Sequence, residues 1–228
     1  MTQWQSVLIE QQRYYDDRAT EYDDWWFRRG QFDEGDAPNA RWREEAAVVQ
    51  DALDAAALQG DILELAAGTG IWSVQLLPKA RTLTMVDGSA QMLAFNPATR
   101  DPRALTVQAD LFQWRPARTY DAVVFAFWIS HVPRELLLQF LCAVASALAV
   151  GGKFFFVDNL PKPETLSPHV VGVEGQLMQR RLRNGNVSTI VKNYYTSSEL
   201  QAACSAAGLE VMVGRTQAFF QYGVGYRR

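Results

Sequence analysis

The chain has 228 residues, 48% of them hydrophobic, which is enough to bury one substantial core in a single domain. A net charge of -3 and a pI near 5.5 argue against a sequence-independent nucleic-acid binder, and no basic run or RNA-binding motif offsets that balance. No basic segment followed by an apolar one opens the chain and no apolar stretch reaches ~18 residues, so neither export nor membrane insertion is expected, and the cytoplasm is the expected location.

Residues 4–42 carry the run YYDDRATEYDDWWFRRG, in which aromatic and charged side chains alternate. Written as a helix, it sets Tyr14, Arg18 and Tyr22 along one face at fourfold spacing. Its aromatic residues suit either a cover over a ligand site or the ordinary packing of an N-terminal helix.

The next segment, DILELAAGTG at residues 61–70, reads as a buried strand followed by a glycine turn. Ile62, Leu63 and Leu65 are core types, Glu64 lies near the strand end, and Gly68 and Gly70 permit backbone geometry that a Cβ would block. A helix over residues 71–77 then aims its N-terminal amides at whatever the turn holds. A dinucleotide turn requires GxGxxG, and Ser73 occupies the place of the third glycine. What remains is an acid four positions before the first glycine of a GxG. This resembles motif I of the class I S-adenosylmethionine (SAM) dependent methyltransferases, in which a glycine usually stands at the position of Ala66. The resemblance implies that Glu64 sits near the methionine amino group, with the turn from Ala66 through Gly68 and Gly70 against the carboxylate end and ribose.

The second strand, TLTMVD, ends at Asp87, 17 residues after Gly70. An acid at that strand end can accept both hydroxyls of a ribose bound over the first turn, although a plain helix cap is the alternative. Gly88 and Ser89 turn the chain into a helix, where Met92 either touches an adenine or joins the core. The third strand, ALTVQAD, ends at Asp110. The resemblance gives Asp110 to the adenine amino group, with the Leu111 or Phe112 amide beside the ring; a strand-terminating turn is the other reading.

YDAVVFAFWI at residues 120–129 is too continuously apolar for an edge and reads as a central strand buried on both faces. Its carboxyl end carries Phe127, Trp128, Ser130 and His131, the side on which ligands of open α/β sheets bind. With a reference pKa near ~6.5, His131 is the best titratable candidate for a general base, or else a helix cap. Placement alone can supply on the order of 7 to 11 kcal/mol of a bimolecular barrier, so one base is not indispensable.

Residues 135–150 show helical spacing and stop at Gly151-Gly152, and residues 153–159 form a fifth strand. Pro161, Pro163 and Pro168 open residues 160–192 as a loop. Arg180, Arg181 and Arg183 then precede Asn184-Gly185, the turn of a hairpin leading into residues 187–191. The arginines either steer an anionic substrate or form a solvated cluster, and His169 receives no role. Residues 197–207 read as a helix capped by Ser197 or Ser198 and stopped by Gly208, followed by two closing strands. Cys142 and Cys204 fall in separate helices and are expected as buried free thiols, and no metal site is expected.

The order of these elements over about residues 40–228 resembles the full class I methyltransferase pattern, nearest to the bacterial small-molecule enzymes. It implies a Rossmann-like α/β fold with a seven-stranded, mostly parallel sheet, helices on both faces, and the last strand antiparallel. One domain is expected, with residues 1–42 as a lid, residues 43–228 as the core and residues 160–192 as a substrate-capping insertion. YYDDRATEYD also resembles the YD-x-x-A-x-x-YD segments that fold over the cofactor in related methyltransferases. On that basis Tyr14 and Tyr22 close over the methionine end, while Trp25, Trp26, Trp128 and His131 border the substrate. The implied activity is transfer of a methyl group from SAM to O, N or C of a small, aromatic or polyketide-like metabolite. A noncatalytic SAM-binding or partner-binding module is the alternative. An NAD-dependent oxidoreductase lacks its third glycine. Oligomeric state is not encoded in any motif.

Overall fold

The computed structural model describes residues 3–161 and 169–228. The sheet is built from β1 (Gly60–Leu65), β2 (Ala80–Asp87), β3 (Ala104–Gln108), β4 (Tyr120–Ala126), β5 (Leu148–Asn159), β9 (Leu209–Arg215) and β10 (Phe220–Arg227). Its seven strands lie in the order β3-β2-β1-β4-β5-β10-β9, and β10 runs antiparallel to both β5 and β9. The strand order reverses between β1 and β4, where β1 pairs with β2 on one side and β4 on the other. In an open α/β sheet that reversal leaves a crevice beyond the strand ends.

Strand alternation divides the core into two layers. Ile62, Leu83, Met85, Val124 and Phe155 face one cluster, which α3 (Asp36–Ala55) covers with Trp42, Ala46, Val49 and Leu53. Leu63, Val86, Val123, Phe125 and Phe156 face the other, beneath α6 (Leu137–Ala147) and α7 (Ser197–Ala206). A second, three-stranded antiparallel sheet comprises β6 (Val170–Glu174), β7 (Leu177–Arg181) and β8 (Val187–Val191). The helix α1 (Gln3–Arg18) lies against β8, and a short helix α2 (Asp23–Trp26) follows it, while α4 (Ser73–Leu76) and α5 (Ala90–Phe95) follow β1 and β2.

Several expectations are corrected at this level. The helix expected over residues 135–150 ends at Ala147, because Leu148 already pairs with Tyr120 as strand. Gly151-Gly152 therefore lie inside β5, where the register jumps between the Tyr120–Leu148 and Ala122–Lys153 pairs, and Gly151 at φ +74° makes the bulge. The last helix is capped by Thr196 rather than Ser197 or Ser198: its hydroxyl accepts from the Glu199 amide while Glu199 accepts from the Thr196 amide. Cys142 is exposed and only Cys204 is buried, though both are free. The 187–191 hairpin forms as expected and gains β6 as a third strand, whereas Pro163 and Pro168 lie outside the described residues.

Candidate functional site: two cavities with a common wall

The turn after β1 is built from left-handed backbone: Ala66 at φ +55°, Gly68 at +56° and Gly70 at +93°. A Cβ on Gly70 would lie 2.3 Å from Asn96 Oδ1, so no larger residue fits there. Ala66 adopts a conformation that glycine takes at no cost.

Glu64 is nearly fully buried and lines neither cavity described below. Alternation turns it to the Ile62 face, under the loop, where it accepts from Ser73 Oγ at 2.6 Å. Asn96 continues the chain by donating to Ser73 Oγ at 2.8 Å and toward Gly68 O at 3.5 Å. Burial, reinforced by the charge of Asp87, pushes the Glu64 carboxyl up to about 8. The acid of the motif thus braces the turn from below, and the expected line of three strand-end carboxylates facing one ligand is reduced to two.

Those two, Asp87 and Asp110, open onto one cavity of about 350 Å³ together with Gly68, Gly88, Met92 and Leu111. Asp87 accepts from the amides of Gly68 (Oδ2, 2.8 Å) and Ser89 (Oδ1, 2.8 Å), and burial raises it to about 6. It does not cap the following helix; Ser89 does, with Oγ accepting from the Met92 amide at 3.0 Å. Asp110 accepts from the Phe112 amide at 2.9 Å and Gln113 Nε2 at 3.0 Å. Each carboxylate keeps lone pairs free for hydroxyl or amino donors. Ala66 and Trp128 line the same cavity, and the indole Nε1 of Trp128 is buried without a hydrogen-bond partner among the described residues. Trp128 therefore borders this cavity and not the second one. Helix α1 roofs it: Gln12 Nε2 donates to Gly88 O at 2.7 Å, Ser89 Oγ to Asp16 at 2.6 Å, and Thr69 bonds Asp23 just beyond the helix.

The second cavity, about 130 Å³, lies between the lid and the small sheet and is bordered by Arg18, Arg28, Arg180, Lys192, Trp25 and Tyr194. Arg28 pairs with Glu34 at 2.8 Å. Lys192 reaches Ser130 Oγ at 2.8 Å and Asp158 at 3.4 Å, and burial lowers its pKa to about 8. Arg18 and Arg180 are only 5% and 9% exposed and have no carboxylate partner among the described residues. Arg18 lies over the rings of Tyr14 and Tyr22, and Arg180 Nε donates to Met178 Sδ at 3.3 Å. Alternation along β7 turns Arg180 inward and Arg181 outward, while Arg183 at the hairpin pairs with Glu21 and Asp24 of the lid. His169 also borders this cavity.

Tyr15, Tyr22, Phe127 and His131 line both cavities and form the wall they share. Phe127 holds φ +52°, a strained value for a non-glycine residue, with its amide donating to Val157 O at 2.7 Å. His131 Nδ1 lies 2.7 Å from Val191 O and its Nε2 lies 2.9 Å from the Tyr15 hydroxyl. Burial, with Lys192 and Arg180 nearby, holds the ring well below the usual histidine pKa. Tyr14, expected beside the cofactor, is instead packed against Met178, Leu182 and Ile190 of the small sheet. Trp26 is likewise in the core, among Trp42, Trp72 and Phe220. The residue next door, Tyr15, takes the expected place of Tyr14. It is the first tyrosine of the YD-x-x-A-x-x-YD pattern and Tyr22 the second, so that pattern points to both.

Residues 39–212 match the family model described as a methyltransferase domain. The chain is 31% identical to the protein of the DhpI–SAH complex, with 98% of each chain covered and a TM-score of 0.79. It is 32% identical to that of the DhpI–SAM–HEP complex, with 96% of this chain and 97% of the other covered and a TM-score of 0.80. This chain is a class I SAM-dependent methyltransferase. A SAM-dependent methyltransferase from Clostridium acetobutylicum, 16% identical over 94% of this chain and 99% of that one with a TM-score of 0.65, shares the fold. No curated protein sequence matches the methyltransferase. Among its described residues, no helix is long and apolar enough to cross a membrane, and no cluster of three or more His, Cys, Asp or Glu is placed to hold a metal.

Proposed function

We propose that the methyltransferase transfers the methyl group of SAM to an oxygen of a compact anionic acceptor held by Arg18, Arg180 and Lys192. The observation that carries this reading is the pair of buried guanidiniums without carboxylate partners among the described residues. An uncompensated buried charge costs several kcal/mol, so such a site calls for a bound anion. Size narrows the class further. An apolar cavity of about 150 Å³ holds one benzene. At about 130 Å³ the acceptor cavity favours a molecule of that bulk over the polyketide-like substrates that the aromatic run suggested.

On the other side of the wall, the free lone pairs of Asp87 fit the ribose hydroxyls and those of Asp110 the adenine amino group, with Met92 and Leu111 against the ring and Gly68 at the methionine end. Bound there, SAM supplies a sulfonium-activated methyl group, whose transfer to oxygen breaks a C–S bond, forms an O–C bond and cancels one positive charge against one negative. The chain's own task is placement. Arg18, Arg180 and Lys192 fix the anion; Phe127, Tyr22 and Trp25 keep water from the junction, where a low dielectric favours mutual neutralisation of the reactants. An anionic oxygen needs no base. His131, with both ring nitrogens already engaged, acts in this reading by holding Tyr15. The unpaired thiols Cys142 and Cys204 suit the reducing cytoplasm, where we place the reaction.

The experiment is methyl turnover from labelled SAM with small carboxylates and phosphoryl compounds set against phenols and amines. Turnover confined to the anions is expected. Turnover confined to neutral aromatic acceptors would overturn the anionic reading, and cofactor binding with no turnover on any acceptor would favour a noncatalytic module.

A further inference from the structure

We infer that Asp158 is a positioning residue of the acceptor site: from behind the smaller cavity it holds the Lys192 ammonium toward the anion and supplies its counter-charge while the site is empty. The inference rests on the reading of that cavity as an anion site, and it gives a task to a carboxylate that borders neither cavity.

The argument begins with the crowding of positive charge. Arg18, Arg180 and Lys192 border the smaller cavity and are only 5%, 9% and 6% exposed. A guanidinium does not give up its proton in a protein, whereas a buried ammonium does so readily. The mutual repulsion therefore falls on Lys192, which burial and the charges of Arg180 and Arg18 push toward its neutral form. As a neutral amine it would leave the anion one charge short.

Asp158 is built in to oppose that loss. Val157, its neighbour on β5, packs in the cluster covered by α3, and alternation turns Asp158 to the opposite face, where it is 1% exposed. Its Oδ2 accepts from the Ser130 amide at 2.9 Å and its Oδ1 from the Asn159 amide at 2.7 Å, so the carboxylate is fixed by backbone on both sides. Oδ1 also lies 3.4 Å from Lys192 Nζ, and Ser130 Oγ accepts from the same nitrogen at 2.8 Å. Two of the three ammonium hydrogens are thus committed to this floor, and the third is left for the cavity. The other groups facing Lys192 are Arg18, Arg180, His131 and Tyr194, none of them a carboxylate, and Gln221, opposite Asp158 on β10, is an amide. Because Asp158 stays behind the wall, it supports the ammonium without repelling the incoming anion.

The test reads Lys192 directly. The Nζ resonance of ¹⁵N-lysine-labelled protein, assigned with Lys192→Met and followed over about pH 5 to 10 without acceptor, gives the midpoint at which the ammonium loses its proton. In Asp158→Asn that midpoint should fall by about one pH unit or more, tenfold in proton affinity. Asp158→Glu, which keeps the charge, should restore most of it, and Ser130→Ala, which removes a neutral acceptor, should move it less. The pH above which acceptor KM rises should shift downward with the midpoint. A midpoint that stays in place in Asp158→Asn, or moves as far in Ser130→Ala, overturns the assignment, as does a KM raised equally at every pH, which marks a structural role. Should Asp158→Asn fail to fold, Ser130→Ala decides alone. A parallel titration of the wild type with inorganic phosphate or acetate should raise the midpoint; a midpoint that responds to Asp158→Asn but to neither anion rejects the anion reading of the cavity and leaves the pairing of Asp158 with Lys192 supported.

Discussion

The two cavities share four wall residues and differ in almost everything else. The larger is edged by Asp87 and Asp110 and assembled at the ends of strands; the smaller is edged by four cations contributed by the lid and the small sheet. Negative groups face the larger cavity and positive groups the smaller one. In the proposed reading that split matches a cationic donor on one side and an anionic acceptor on the other, with the apolar parts of the shared wall limiting water between them.

Breaking the cofactor side should have the largest effect. Gly70→Val combines a left-handed φ with a clash against Asn96, so SAM affinity measured by calorimetry should fall by more than about 100-fold. Breaking the acceptor side should leave SAM affinity untouched. Arg180→Met should raise the acceptor KM by roughly 10- to 100-fold, as expected for a lost charged hydrogen bond. The same variant should melt at a higher temperature than the wild type when no acceptor is present, because a buried charge with no carboxylate partner among the described residues has been removed; a lower melting temperature would contradict the charge argument.

A pH series sharpens the contrast. Lys192 has its pKa lowered to about 8, first by burial, with Asp158 opposing and Arg180 adding to the shift. It loses its charge as pH rises through that value, so acceptor affinity should fall above about pH 8 while kcat/KM shows no acidic limb near the ordinary histidine range. The smallest effect is on stability. Glu64 is raised from its ordinary range to about 8, so its contribution to stability is present in full below the unfolded pKa near 4.5 and is lost as pH climbs toward 8. Glu64→Gln should flatten that slope in melting curves taken from pH 5 to 9.

What the sequence made legible follows the same division. The end of β2 could be read because a buried parallel strand leaves a continuous apolar run, which Asp87 closes; β3 is instead a largely exposed edge strand that stops at Gln108, so Asp110, expected at its end, lies two residues beyond it. Glu64 marks its strand equally well, but which face it takes depends on strand alternation against the loop helix; the same spacing serves a ligand contact or a brace. Helix α3 carries Trp42, Ala46, Val49 and Leu53 at intervals of three and four, the same kind of signal, although no helix was expected there. The acceptor side was largely hidden. Arg18, Arg180 and Lys192 come from three separate elements that meet only when the lid crosses the small sheet, and the inward turn of Arg180 over Arg181 depends on pairing with β8. Tyr14 and Tyr15 illustrate how two patterns compete: fourfold helical spacing selects the first, but α1 ends at Arg18, so Tyr22 reaches the wall from beyond the helix and stands with Tyr15.

Helix α1 is fastened by Gln12 to Gly88 over the larger cavity and by Gln11, which lines the same cavity, to the Val191 amide and the His131 carbonyl. One segment therefore touches both halves of the site, and loosening it would release the contacts at Gly88 and Val191 together.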